Sequence, residues 1–213
     1  MKKSLYILFL IISSLIAEDY QVKISKDIPY VDVKLSGQSI RIHRIQDTGH
    51  KLTDDFTKTS RVCPPFCVQP IRPVEGVKNI AELELIKFIK TKVANHKGLI
   101  IDARTPDWYK LETIPTAINV PFTILKSGDK KIIYKLFTLF GVKVKSDGSY
   151  DFSNAKELAV FCNGLWCAQS PTFIRDIVKY GYPKNKIYYY RSGMQGWKLL
   201  GLTTEINKKE EVK

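Results

Sequence analysis

The reactive side chains of this chain gather in two close cysteine pairs, Cys63–Pro–Pro–Phe–Cys67 and Cys162–Asn–Gly–Leu–Trp–Cys167. The second pair has the stronger setting. An apolar run, Leu158 to Phe161, leads into it, and Ser170–Pro171 follows. Ser170 suits a helix cap and Pro171 the first helical position. The spacing therefore predicts strand, glycine-containing loop, helix, an arrangement that places a reactive group at the carboxyl end of a sheet. Loop amides and a helix N-terminus favour negative charge. A thiol held there ionises more readily than a free one, whose pKa is about 8.5. Cys162 is thus the candidate nucleophile and Cys167 its companion. The backbone of Asn163, Gly164, Leu165, Trp166 and Ala168 is the candidate cradle for a charged sulfur. A competing reading makes Cys162 a small buried residue at a strand end. Trp166 reads as a packing shield for the loop rather than a substrate contact.

The first pair is stiffened by its two prolines. Its C-x3-C spacing is not that of a zinc ribbon, and no paired histidines accompany it. It also lacks the C-x-x-C-H of haem attachment. A structural disulfide and a redox or sulfur-handling role both stay open for Cys63 and Cys67. The four cysteines allow three complete pairings. Pairing 63 with 67 and 162 with 167 is the simplest. No metal or cofactor is called for. His43 falls on the polar face of a predicted strand, and His50 and His96 sit in loops without a ligand pattern.

Residues 1–17 read as a secretory signal: Lys2 and Lys3, an apolar run from Leu5 to Ile12, and a cleavage edge at Ala17. The run is short for a membrane span, which needs about 20 residues. The expected location is periplasmic or secreted, where cysteines tend to pair. No stable membrane span is expected after cleavage. Removing Lys2 and Lys3 lowers the net charge from +13 to +11. The remaining lysines are scattered, with no dense basic block and no nucleic-acid motif, so the charge reads as a solvated surface.

The elements around the cysteines follow from periodicity. Tyr30–Leu35 and Ile40–Ile45 alternate apolar and polar around Ser36–Gly37–Gln38, which predicts a hairpin. From Ile80 the apolar spacing turns helical through about Lys92. Strands are predicted at Leu99–Ile101, Ala117–Pro121, Leu158–Phe161 and Ile187–Tyr190. Helices are predicted near Asp107–Tyr109, at Lys131–Phe140 and Pro171–Tyr180, and after Arg191. Lys143–Asn154 reads as a polar loop. Alternating strands and helices imply a parallel sheet covered on both faces. The expected division is signal peptide 1–17, hairpin and Cys-Pro extension 18–78, main domain 79–205 and charged tail 206–213.

Four landmarks, in order, resemble the rhodanese-like domain family over about residues 79–205. They are Leu99–Ile–Ile–Asp102–Ala–Arg104, the segment Ile114–Pro–Thr–Ala–Ile–Asn–Val–Pro121, Phe161–Cys162 at a strand end, and Gly181–Tyr182 with Ile187–Tyr190, Gly193 and Trp197. The resemblance implies an α/β fold, a parallel sheet flanked by helices, here preceded by a small β-hairpin. It also implies sulfur transfer through a persulfide on Cys162, with loop amides holding the sulfur. The partners would be a small sulfur donor and a thiol acceptor or partner protein. The chain departs from the family pattern in places. Thr113 stands where histidine is common, and Thr116 where glycine is common. The usual loop, Cys-x-x-Gly-x-Arg before Ser or Thr, is here longer by two and carries no arginine. Arg104 and Arg191, at predicted strand ends, are the candidates to bind an anion in its place; each reads equally as a structural ion pair. Together the two cysteine motifs resemble an exported subgroup of the family.

Three functional readings follow. Cys162 carries sulfur to an acceptor, or Cys167 resolves a Cys162 persulfide to a disulfide and free sulfide. Alternatively, a permanently oxidised pair leaves a non-catalytic binding domain. A cysteine phosphatase needs C-x5-R to grip phosphate, and Ala168 occupies that sixth place.

Overall fold

In the computed structural model the structure describes residues 20–206. The signal-like segment and all but the first residue of the charged tail lie outside them. A hairpin comes first, β1 (Tyr30–Leu35) and β2 (Gln38–His43), paired antiparallel around Ser36–Gly37. Then follow β3 (Lys78–Ile80), α1 (Glu82–Phe88), β4 (Gly98–Asp102), α2 (Pro106–Leu111), β5 (Ala117–Asn119) and α3 (Lys130–Leu139). A two-rung hairpin, β6 (Lys143–Val144) with β7 (Tyr150–Asp151), occupies the stretch expected to be a plain loop. The chain closes with β8 (Glu157–Phe161), α4 (Gln169–Lys179), β9 (Ile187–Tyr190) and α5 (Gly193–Leu199).

The main sheet has five parallel strands in the order β3-β9-β8-β4-β5. Its central strands are apolar on both sides, as a doubly covered parallel sheet requires. Alternate residues feed two cores. Ile101, Leu158, Val160, Ile187 and Tyr189 face α3 and α4, where Phe137, Phe173, Ile174 and Ile177 meet them. Ile100, Ala159, Phe161 and Tyr190 face α1 and α5 and pack with Leu85, Ile89, Met194 and Trp197. Val31, Val33 and Ile42 of the N-terminal hairpin and Phe56 beyond it join this second core. The extension is thus built onto the sheet domain by shared apolar burial.

Several element boundaries differ from expectation. Ile80 belongs to the edge strand, paired with Tyr190, and α1 begins only at Glu82. A strand partner outweighs the helical spacing of one residue. Past Phe88 the helix widens into a π turn over Ile89–Val93, with Ala94 N–H bonded to the Ile89 carbonyl at 3.0 Å. Leu85, Ile89 and Val93 are all buried. A repeat of four drifts on a helix of 3.6 residues per turn, and a wider turn keeps it on one face.

The family-like segment before β5 shows how its departures are accommodated. Thr113 is fully buried, and its hydroxyl donates to Asp102 Oδ2 at 2.8 Å. Thr116 holds φ at +71°, the left-handed region that favours glycine.

Candidate active site at the β8–α4 loop

Cys162 leaves the carboxyl end of β8, and the loop to α4 folds back over it. α5 anchors the loop base: the Met194 and Gln195 amides donate to the carbonyls of Cys162 and Asn163 at 3.0 and 2.9 Å. This close approach demands glycine at 193. A Cβ there would lie 2.2 Å from the Cys162 carbonyl oxygen, and its φ is +56°. The Cys167 amide turns inward to the Gly164 carbonyl at 3.0 Å.

Both cysteines are free thiols and both are buried. The simplest pairing therefore holds for Cys63–Cys67, which form a disulfide, and not for Cys162 and Cys167. The Cys162 thiol donates to the Cys167 carbonyl at 3.2 Å and receives the Ser170 hydroxyl at 3.0 Å. Ser170 was expected to cap the helix. The helix instead starts at Gln169 after Ala168, with no side-chain cap, and Ser170 turns its hydroxyl to the sulfur.

The electrostatics separate the two thiols. Burial, with the interaction of Cys167, pushes Cys162 well above the ordinary thiol range, against the opposing Ser170 hydroxyl and amide. Burial also works against the Cys167 thiolate. The hydrogen bond from Cys162, the Asn163 and Gln169 amides and the charge of Arg104 outweigh it and hold Cys167 below its ordinary value. The pair therefore takes its first negative charge on Cys167. Among the expected cradle residues, the Asn163 amide serves the Cys167 sulfur, while the Leu165 carbonyl faces another segment.

Arg104 is fully buried and wholly engaged. It ion-pairs with Asp102 (Nη2–Oδ2 2.6 Å), donates to the Glu112 carbonyl at 2.5 Å and reaches Asn163 Oδ1 at 3.3 Å. It orients the loop's first residue from below and has no face open to a small anion. Arg191 donates through Nε and Nη2 to the Gln69 carbonyl at 3.2 and 2.6 Å. Its role here is to fasten the Cys-Pro segment.

That segment lies across the loop as a strap. The Gln69 amide donates to the Leu165 carbonyl at 2.8 Å, and the Gln69 side chain closes on the Cys67 carbonyl. Phe66 meets Trp166 edge-on at 5.5 Å, and the Arg61 guanidinium lies 4.1 Å from the Trp166 ring centroid. Trp166 Nε1 donates to Gln195 Oε1 at 3.0 Å. Trp166 is thus a packing hub joining strap, loop and α5. Leu165 stays partly exposed, and Ala168 precedes the helix. Sequence reasoning passed over Ser170 as a ligand of sulfur, and passed over Gln69, Gln195 and Arg61 as supports. Ser170 alone carried a signal, its place at the helix start beside the loop.

The rhodanese-like domain family model matches residues 84–200, and the chain belongs to that family. No curated protein matches it significantly. Similar solved structures include a protein of Bacillus halodurans, 18% identical with a TM-score of 0.44, covering 61% of this chain and 77% of its own. A rhodanese-related protein of Thermoplasma volcanium is 18% identical with a TM-score of 0.41, covering 61% and 98%. A thiosulfate sulfurtransferase of Pseudomonas aeruginosa is 21% identical with a TM-score of 0.41. That match covers 62% of this chain and 21% of the Pseudomonas chain. Among the described residues, no helix is long and apolar enough to cross a membrane.

Proposed function

We propose that this rhodanese-like domain is a sulfurtransferase of the periplasm or extracellular space, carrying sulfane sulfur as a persulfide on Cys162. The observation that supports it best is the thiol at the end of β8, bonded by Ser170 and backed by a second, ionisable thiol. Cys167, negative first, accepts the Cys162 proton. The Cys162 thiolate then attacks the outer sulfur of thiosulfate or of a small persulfide. The S–S bond of the donor breaks, sulfite or a thiolate leaves, and Cys162 holds the outer sulfur. An acceptor thiolate takes that sulfur and restores Cys162. Export is supported by the signal-like residues 1–17 and by the Cys63–Cys67 disulfide, a bond that suits oxidising compartments.

The contact between the two thiols supports a second reading of the same site. The Cys167 thiolate attacks Cys162 Sγ of the persulfide, forming a Cys162–Cys167 disulfide and expelling sulfide. An external dithiol then reduces the pair. Mass spectrometry of the reduced protein after thiosulfate or glutathione persulfide tests both readings. Added sulfur on Cys162 is expected, and folded protein that takes none rules the proposal out. A Cys167→Ser protein that transfers sulfur normally and releases no less sulfide than wild type removes the second reading.

A further inference from the structure

Tyr189 takes no part in the chemistry above, yet the fold places it beneath Cys162. β8 and β9 run parallel with Val160 opposite Tyr189. Residues opposite one another point to the same face, and so do residues two apart along a strand. Leu158, Val160 and Cys162 therefore share a face with Ile187 and Tyr189. α4 covers that face with Phe173, Ile174 and Ile177, and Ser170 continues the same helical stripe. Three polar groups thus meet in one apolar layer: the Cys162 thiol, the Ser170 hydroxyl and the Tyr189 phenol.

The phenol is buried, and its hydroxyl makes no hydrogen bond among the described residues. Leaving a buried polar group unpaired is destabilising. An apolar residue would fill this position without that penalty. Ser170, Arg191 and both free cysteines lie close enough to Tyr189 to bias its ionisation. Burial holds it neutral, well above the ordinary phenol range, so it stays a proton donor. Ser170 donates its one hydroxyl proton to Cys162, which leaves the Ser170 oxygen free to accept.

We infer that Tyr189 is a positioning residue for Cys162: when that sulfur carries negative charge, the Tyr189 hydroxyl donates to Ser170 Oγ and completes a chain from Tyr189 through Ser170 to Cys162. Each donor polarises the next, so the chain stabilises a charged sulfur more than Ser170 alone. The inference rests on the reading of Cys162 as the sulfur that becomes anionic. Its test follows ionisation rather than sulfur transfer, so the two can fail separately.

The test titrates full-length protein carrying [3-13C]cysteine, with Cys162 and Cys167 as thiols, and reads each cysteine Cβ shift against pH. Tyr189→Phe removes one oxygen and keeps the ring. It is expected to raise the Cys162 midpoint by about half to one pH unit, or roughly three- to tenfold less thiolate at neutral pH. Thermal stability should be equal or higher, because the unpaired hydroxyl is gone. Ser170→Ala should raise the midpoint as well, and adding Tyr189→Phe to it should change nothing more. A wild-type Cys162 titration in Tyr189→Phe overturns the inference. So does a full additional shift in the Ser170→Ala background, which would place Tyr189 outside the chain.

Discussion

Two cysteine pairs of similar spacing lie one above the other in this molecule, and they meet opposite fates. Cys63 and Cys67 close a disulfide in a proline-rich strap with Cys63 exposed. Cys162 and Cys167 carry no disulfide and lie buried at the carboxyl end of a central strand. Three and four residues separate the partners along the chain, so spacing does not explain the difference. The surroundings do. The upper pair has no regular element behind it and serves to hold a turn. The lower pair is met by a hydroxyl, helix-start amides and a buried arginine, the groups that hold charge on sulfur.

The largest effect follows from removing the proposed nucleophile of the lower pair. Cys162→Ser should reduce sulfur loading from thiosulfate by about a thousandfold or more, as loss of a nucleophile does elsewhere. A Cys63→Ser, Cys67→Ser protein should keep its loading within about tenfold. Equal losses in both proteins, read by mass spectrometry, would erase the contrast between the pairs.

Next comes the support of the lower loop. Gly193→Ala sets a Cβ against the Cys162 carbonyl at a positive φ. Overpacking and backbone strain should together cost about 3 kcal/mol. A denaturant midpoint within error of wild type would mean the loop base is soft.

Removing the upper disulfide should cost about 2 kcal/mol by loop-closure entropy, since the closed loop is short. Denaturation of the Cys63→Ser, Cys67→Ser protein measures it. An unchanged midpoint would show that the strap's contacts with Trp166 and Leu165 suffice to hold it.

These contrasts were unevenly visible in the sequence. The Leu158–Phe161 run, the Gly164 turn and the helix after it announced the β8–α4 loop, because apolar periodicity and turn residues act locally. Arg104 and Arg191 were placed at strand ends correctly, and the Arg104–Asp102 ion pair lies within the Asp-x-Arg landmark itself, but their other partners come from elsewhere in the fold. Asn163 and the Glu112 carbonyl engage the first, and the Gln69 carbonyl engages the second. The strap's docking on Trp166 is a contact between segments about 100 residues apart, and no local pattern encodes it. Ser170 misled for a physical reason: the same hydroxyl can cap an amide or donate to sulfur, and only the fold of the loop selects between them.

A smaller effect separates the two lower thiols. Thiolate, not thiol, reacts with iodoacetamide. Cys167 lies below the ordinary thiol range and Cys162 above it, so Cys167 ionises first as pH rises and Cys162 follows at higher pH. Near pH 7, peptide mapping should find Cys167 modified severalfold faster than Cys162. Faster modification of Cys162 would reverse the assignment of charge within the pair.

The smallest effect tests how firmly the upper pair bears on the lower. Phe66 touches Trp166 edge-on, and Arg61 faces both rings, at 4.1 Å from Trp166 and 5.6 Å from Phe66. Phe66→Leu keeps the apolar bulk and deletes the ring geometry, which is worth about 0.5–1.5 kcal/mol in buried pairs. Phe66 is partly exposed, so a loss near the low end is expected in denaturant unfolding. The strap covers the loop through Trp166, so the same change should also speed Cys167 modification about two- to threefold, in proportion to that loss. Faster modification without a stability change would place the strap's hold in the Gln69–Leu165 hydrogen bond instead. No change in either measurement would mean that the disulfide strap and the thiol loop, though in contact, act independently.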